Sequence, residues 1–252
     1  MTITEPVPDL AGVTASSVSR PGARDLLGTP FLELETSVVA ERLQAVSRTF
    51  PGTSIHYAVQ ANPPPDVLAT VVAAGANFSV GTPAEASACL RAGAAPEDLI
   101  YSNRVKRRDD IAHAAGMGVR LFAVDTTSAV RKVAETAPGS SVVCRLRTSG
   151  DAPGWALSRR SGGSVTEAVD VLQLAAELGL DAAGVTFHVG SKQRDANAWR
   201  LPIAGAARVF ATLRRHGIAP WLLDLGGGLP ADRDRQAPSL DGYGAAAVRS
   251  RI

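Results

Sequence analysis

The sequence predicts an α/β fold of the TIM-barrel type, (β/α)8, on three observations. Short β-type runs alternate with amphipathic helical stretches along most of the chain, the pattern of parallel βαβ units. Five of the helical stretches end in glycine just before the next strand (Gly75, Gly93, Gly118, Gly179, Gly217), as left-handed helix ends require. The length, 252 residues, is close to the ~250 typical of an eight-stranded barrel.

Residues 1–28, rich in Pro, Ser, Thr and Gly, are expected to form a flexible leader, with the folded domain over 29–252. FLELE (31–35) precedes the first full strand–helix unit. The helix SVVAERLQAVSRTF then leads to the strand SIHYAV (54–59), which ends in a polar pair and a proline stop. PPDVLATVVAAG, PAEASACLRAG, RRDDIAHAAGMG, TSAVRKVAETA, VTEAVDVLQLAAELG and ANAWRLPIAGAARVFATLRRHG carry apolar residues at three- and four-residue steps, as helices packed on a sheet do. Between them fall the strands ANFSVG (76–81), LIYSN (99–103), RLFAVD (120–125), SVVCRLR (141–147), GVTFHVG (184–190) and WLLDLGGG (221–228). That makes seven strands after FLELE. The 24 residues from Leu229 hold a polar loop and one short helix, GYGAAAVRSRI, so the barrel is expected to lack its eighth strand.

Composition narrows the function classes. A net charge of +2 with scattered basic residues does not suggest a nucleic-acid groove, and RVKRR (104–108) reads as a solvated loop and helix start. Two cysteines, Cys89 and Cys144, without CxxC spacing or a histidine cluster, argue against a disulfide framework or a metal site. With no apolar run of ~18 residues and no secretory signal at the N-terminus, a cytoplasmic protein without membrane contact is expected.

Candidate chemistry lies at the strand ends. In DLGGGLP (224–230), three successive glycines let backbone amides crowd round an anion, which favours phosphate binding over a plain strand-exit turn. FHVGS (187–191) places His188 and Ser191 where a strand opens into a loop, for stacking on a flat ligand and bonding a phosphate oxygen; a core histidine is the alternative. Arg145, on the otherwise apolar SVVCRLR strand, needs an anionic partner. Glu85 is either that partner or helix-start charge.

Together TPFLELE, YAVQANP, NFSVGTPAE, IYSN, FAVDT, VVCRLR, WALSRRSGG, FHVGS and LLDLGGGLP, in this order, resemble the barrel domain of fold type III pyridoxal phosphate (PLP) dependent decarboxylases. These are the ornithine/lysine, arginine and diaminopimelate decarboxylases; HVGS and WALSRRSG are closer to the ornithine/lysine branch of polyamine biosynthesis. The resemblance implies a PLP-binding barrel of the alanine-racemase type. It implies that Gly226, Gly227, Gly228 and Ser191 hold the PLP phosphate and that His188 stacks on the pyridine. Arg145 and Glu85 shape the site, the substrate is a small amino acid, and the assembly is a homodimer or includes a hetero-partner.

The departures are equally specific. Gln60, in YAVQANP, stands where the family has its Schiff-base lysine, and a neutral amide cannot condense with an aldehyde, so no covalent PLP attachment is expected. Ser79 replaces an acidic residue, Arg160-Ser161-Gly162 replaces Lys-Phe-Gly, and neither the Glu-Pro-Gly-Arg strand nor the C-terminal β-domain is found in these 252 residues. The expectation is a decarboxylase scaffold with little or no turnover alone. The alternatives are a pseudoenzyme or regulatory partner binding PLP or another phosphorylated ligand, and a remnant without a stable fold.

Overall fold

The computed structural model describes residues 33–148, 162–230 and 239–248. The leader at 1–28, the WALSRR segment, Arg160 and Ser161 lie outside the described residues. Strands and helices alternate as the pattern requires: α1 (Thr36–Thr49), β1 (His56–Ala58), α2 (Pro65–Ala73), β2 (Asn77–Val80), α3 (Pro83–Arg91), β3 (Leu99–Tyr101), α4 (Arg108–Gly116) and β4 (Leu121–Val124). There follow α5 (Thr127–Thr136), β5 (Ser141–Arg145), α6 (Val165–Glu177), β6 (Asp181–Thr186), α7 (Arg200–Arg215), β7 (Leu222–Asp224) and α8 (Leu240–Val248). The strands form one parallel sheet in the order β1-β2-β3-β4-β5-β6-β7. Helices start where side chains can hold their first amides: Thr82, Thr126 and Ser164 each accept a hydrogen bond from the backbone N–H three residues on. The five helix-ending glycines all have positive φ.

Both faces of the sheet are apolar, as a parallel sheet covered on both sides demands. Phe78, Leu99, Tyr101, Phe122, Cys144, Val185 and Phe187 are buried in the cluster beneath the helices. On the concave face Ile100, Ala123 and Val143 form a second, smaller cluster with Leu121 and Leu222. Each large side chain fully buried in this way contributes roughly 1.5–3 kcal/mol.

Among the described residues β1 and β7 do not pair with each other. The helices nevertheless meet across this seam. On α8, Tyr243 sets its ring edge-on to Trp199 at 5.7 Å, just before α7. Gly244, on the same helix, lies so close to Thr49 at the end of α1 that a Cβ would stand 2.7 Å from the threonine Cγ2.

One irregularity aims the strand that matters most. The β5–β6 register slips between Val142 and Val143, which face Ala182 and Gly184, so Ala183 is an extra residue on β6. After this bulge Val185, Phe187 and Val189 go to the helix side. Thr186 and His188 are left on the concave side by the period-2 alternation. Gly184 permits the bulge: at φ 153 its Cβ would lie 1.9 Å from the Leu222 carbonyl oxygen. Gly184→Ala is expected to part β7 from β6 and lower stability by about 3 kcal/mol. A urea unfolding curve with an unchanged midpoint would count against this account of the β6–β7 contact.

The strands end earlier than the sequence pattern predicts. β3 stops at Tyr101, β6 at Thr186 and β7 at Asp224, so SN, FHVG and LGGG are loop. β6 also begins earlier than predicted, at Asp181. These loops carry the polar residues of the concave rim.

Candidate functional site

Three neighbouring strands build the rim in register. Arg145 on β5 pairs with Thr186 on β6, and Thr186 with Asp224 on β7, so all three side chains project to the same face at the same height. Asp224 is the hub. Its Oδ2 accepts the Thr186 hydroxyl at 2.7 Å and its Oδ1 accepts the Gly226 N–H at 2.8 Å. The second bond closes an Asx turn that bends the chain out of β7.

The glycine loop then crosses directly over the exit of β6. Gly226 has φ 64, and a Cβ there would sit 1.9 Å from the Phe187 carbonyl oxygen; at Gly228, φ 127, it would sit 2.5 Å from that of Gly190. Gly227 lies over the imidazole, its hypothetical Cβ 3.7 Å from His188 Cε1. The Thr148 hydroxyl fixes the same histidine by donating to its carbonyl oxygen at 2.9 Å.

Electrostatics set the protonation of this cluster. Burial first, and then the Arg145 guanidinium, push the His188 pKa below its ordinary value, with Asp224 opposing them. The ring is therefore neutral at neutral pH. Burial and Arg104 lower the Arg145 pKa, while Asp224 and Asp125 act in the opposite direction. Asp125 itself pairs with Arg104 at 3.2 Å.

The structure therefore brings Arg145, His188 and the loop Gly226–Gly228 together. Ser191, exposed, lies in the loop that follows His188. Gln60 is exposed on the 3-10 turn Val59–Ala61 after β1, at the other edge of the sheet. Glu85 stands in the first turn of α3. Its Oε2 accepts the Gly81 N–H at 2.7 Å, and the carboxylates acting on Arg145 are Asp224 and Asp125.

Sequence reasoning missed four elements of the site. Asp224, two residues before a glycine, was legible as an Asx-turn signal. Thr186, Thr148 and the Arg104–Asp125 pair are visible only through strand register and packing. The basic cluster 104–108 also needs correction. Arg107 and Arg108 are exposed, with α4 starting at Arg108, but Lys106 is only 4% exposed. Its Nζ donates to the carbonyl oxygens of Asn103, at 2.6 Å, and of Ala123, and it stands 5.8 Å over the Tyr101 ring.

An amide-rich loop with no side chains, next to a guanidinium and a neutral imidazole, suits a flat, phosphorylated ring compound. The residues fit PLP in this sense: the space over His188 is one that a side chain at position 227 would fill. Residues 36–249 match the family model described as pyridoxal-dependent decarboxylase, pyridoxal binding domain. The chain belongs to this family. It is 33% identical to the lysine/ornithine decarboxylase of Selenomonas ruminantium over 202 residues, 80% of this chain and 51% of that protein. It is 31% identical to antizyme inhibitor 2 of Xenopus laevis over 206 residues, 78% of this chain and 45% of that protein. The crystal structure of the Vibrio vulnificus lysine/ornithine decarboxylase complexed with cadaverine superposes with a TM-score of 0.82 at 26% identity, covering 91% of this chain and 60% of that one. The chain thus spans about half the length of the curated relatives it matches. The family's barrel, α/β with parallel strands and surrounding helices, is the fold observed.

Proposed function

We propose that this chain binds PLP non-covalently in a decarboxylase-type barrel and does not decarboxylate amino acids. Gln60 carries the reading. An amide nitrogen is not a nucleophile toward an aldehyde, and that holds whatever further polypeptide accompanies these 252 residues. PLP, when bound, supplies an aldehyde and an electron-withdrawing ring.

The chain's own residues bind and orient. The loop Gly226–Gly228 and Ser191 receive the phosphate, His188 in its neutral form lies against the ring, and Arg145 lends positive charge to the anionic ligand. Glu85 holds the β2–α3 turn on the far flank of the site. The chain has three lysines, Lys106, Lys132 and Lys192. The Lys106 amine is held by two carbonyl groups, and Lys132 Nζ donates to the Lys106 carbonyl oxygen at 2.9 Å. Neither is placed to replace the missing amine.

A regulatory role is the second reading, favoured by the likeness to an antizyme inhibitor, a name that describes action on another protein. Under it the polypeptide partner would contact the barrel, and PLP would serve structure.

Titration with PLP, followed by borohydride reduction and mass mapping, tests the proposal. Saturable binding competed by inorganic phosphate is expected, with no stoichiometric pyridoxyl-lysine. Gln60→Lys is expected to yield a reducible linkage at residue 60. Absence of saturable binding overturns the cofactor reading. A single native pyridoxyl-lysine accompanied by amine release would restore the enzyme reading.

A further inference from the structure

Lys192 is the one non-glycine with positive φ among the described residues, at φ 56. A left-handed backbone brings Cβ toward the following carbonyl, a strain that glycine escapes. The surrounding structure holds residue 192 there from both sides. On one side Gly190 presses on Gly228, so closely that a Cβ at 228 would lie 2.5 Å from the Gly190 carbonyl oxygen. On the other, the Gln193 N–H donates to the Gly228 carbonyl oxygen at 2.8 Å. Gln193 is tied again through Nε2 to the Val189 carbonyl at 3.2 Å, and its own carbonyl accepts the Tyr243 hydroxyl at 2.6 Å. The loop is thus clamped to the glycine cradle with a strained lysine between its clamps. Strain that the surroundings enforce is found at ligand sites.

The charge balance of the cradle shows what a lysine adds. Asp224 places a carboxylate at the start of the cradle and takes up the Gly226 amide. The Arg145 guanidinium feels Arg104 as well as the carboxylates of Asp224 and Asp125. An anion on the loop therefore meets a fixed carboxylate beside a single guanidinium on which that carboxylate also acts. Lys192 is exposed, one residue past Ser191, on a flexible four-carbon stem.

We propose that Lys192 is an anion-binding residue of the cradle, its ammonium contacting the phosphate of the ligand seated on Gly226–Gly228. The inference rests on the PLP-binding reading above and adds to it a residue at which cofactor affinity and backbone strain are opposed. Glycine at this position would relax the loop and lose the cation.

Inorganic phosphate, PLP and phosphate-free pyridoxal are the probes, titrated at low salt against the full chain and Lys192→Met, Lys192→Arg and Lys192→Gly. Lys192→Met should weaken phosphate and PLP binding about tenfold, the scale of one charge-assisted hydrogen bond. Lys192→Arg should retain most of it, and pyridoxal should bind all variants alike. Lys192→Gly should lose the same tenfold while its melting temperature rises by about 2–4 °C. Wild-type affinity for phosphate in both Lys192→Met and Lys192→Gly would overturn the role of Lys192 and leave PLP binding standing. A wild-type chain that binds neither phosphate nor PLP would overturn the PLP reading and this inference with it.

Discussion

Gly226→Ala is expected to lower affinity for PLP and for phosphate by about a hundredfold or more, equivalent to about 3 kcal/mol, and to lower the melting temperature. The added methyl group would arrive 1.9 Å from the Phe187 carbonyl oxygen and 3.2 Å from His188 Cα, at a φ of 64 that alanine resists. Neither side can yield cheaply. The Phe187 ring is fully buried, and the Phe187 N–H donates to the Asp224 carbonyl oxygen at 3.2 Å. The loop must lift off β6, and with it goes the Asx turn made by Asp224. Gly228→Ala should behave alike, because its methyl would meet the Gly190 carbonyl oxygen at 2.5 Å. Gly227→Ala separates fold from function. Its methyl makes an ordinary 3.7 Å contact with the His188 ring, so the melting temperature should hold while PLP binding falls, by about tenfold, because the methyl intrudes above the imidazole. PLP titration by fluorescence and thermal denaturation of the three variants test the set. Full affinity in Gly226→Ala would show that the anion does not sit on this loop.

The second large effect concerns Lys106, whose pKa is pushed down to about 7. Burial is the main cause; Lys132 and Arg104 push the same way, and Asp125 opposes them. The unfolded chain holds this proton up to its ordinary pKa near 10.5. Between about pH 7 and 10.5 the unfolded state therefore binds more protons than the folded one, and this group's contribution to stability rises with pH. Below pH 7 both states are protonated and the cost of the buried charge is fully present. The rise is on the order of 5 kcal/mol across the window. Other groups titrate there too, so the comparison with Lys106→Met is the measurement: the unfolding free energy of the wild type minus that of the variant should become more positive as pH is raised from 7 to 10. A difference that stays constant would place the Lys106 amine in water rather than under the β3–α4 loop.

Much of the fold was legible because its signals are local. Apolar residues at three- and four-residue steps marked α2 through α7, and glycines marked the ends of several. Strand ends were less legible. LIYSN, GVTFHVG and WLLDLGGG run on past the last residue paired with a neighbouring strand, and that point is set by pairing rather than by composition. The bulge at Ala183 has no signature beyond Gly184, since the constraint is the carbonyl of Leu222, 38 residues away. Among site residues, Gly226–Gly228, His188 and Arg145 could be named from motif and polarity. Thr186 and Thr148 could not, because a threonine on a strand looks like any β-former. Lys106 looked solvated among four arginine and valine neighbours, and only the carbonyls of Asn103 and Ala123, brought together from two segments, draw it inward.

By itself the sequence determined the family, the alternation of parallel strands and helices, and the absence of an amine at position 60. These follow from residue identity and short-range order, which any chain carries in one dimension. Tertiary structure alone decided that Asp224 ties the glycine loop to β6 and that Arg145, Thr186 and Asp224 stand level. It also decided that Lys106 is buried and that Lys192 is held left-handed beside Gly228. Each of these depends on register between strands or on a clash between backbones far apart in the chain, distances that sequence spacing does not contain.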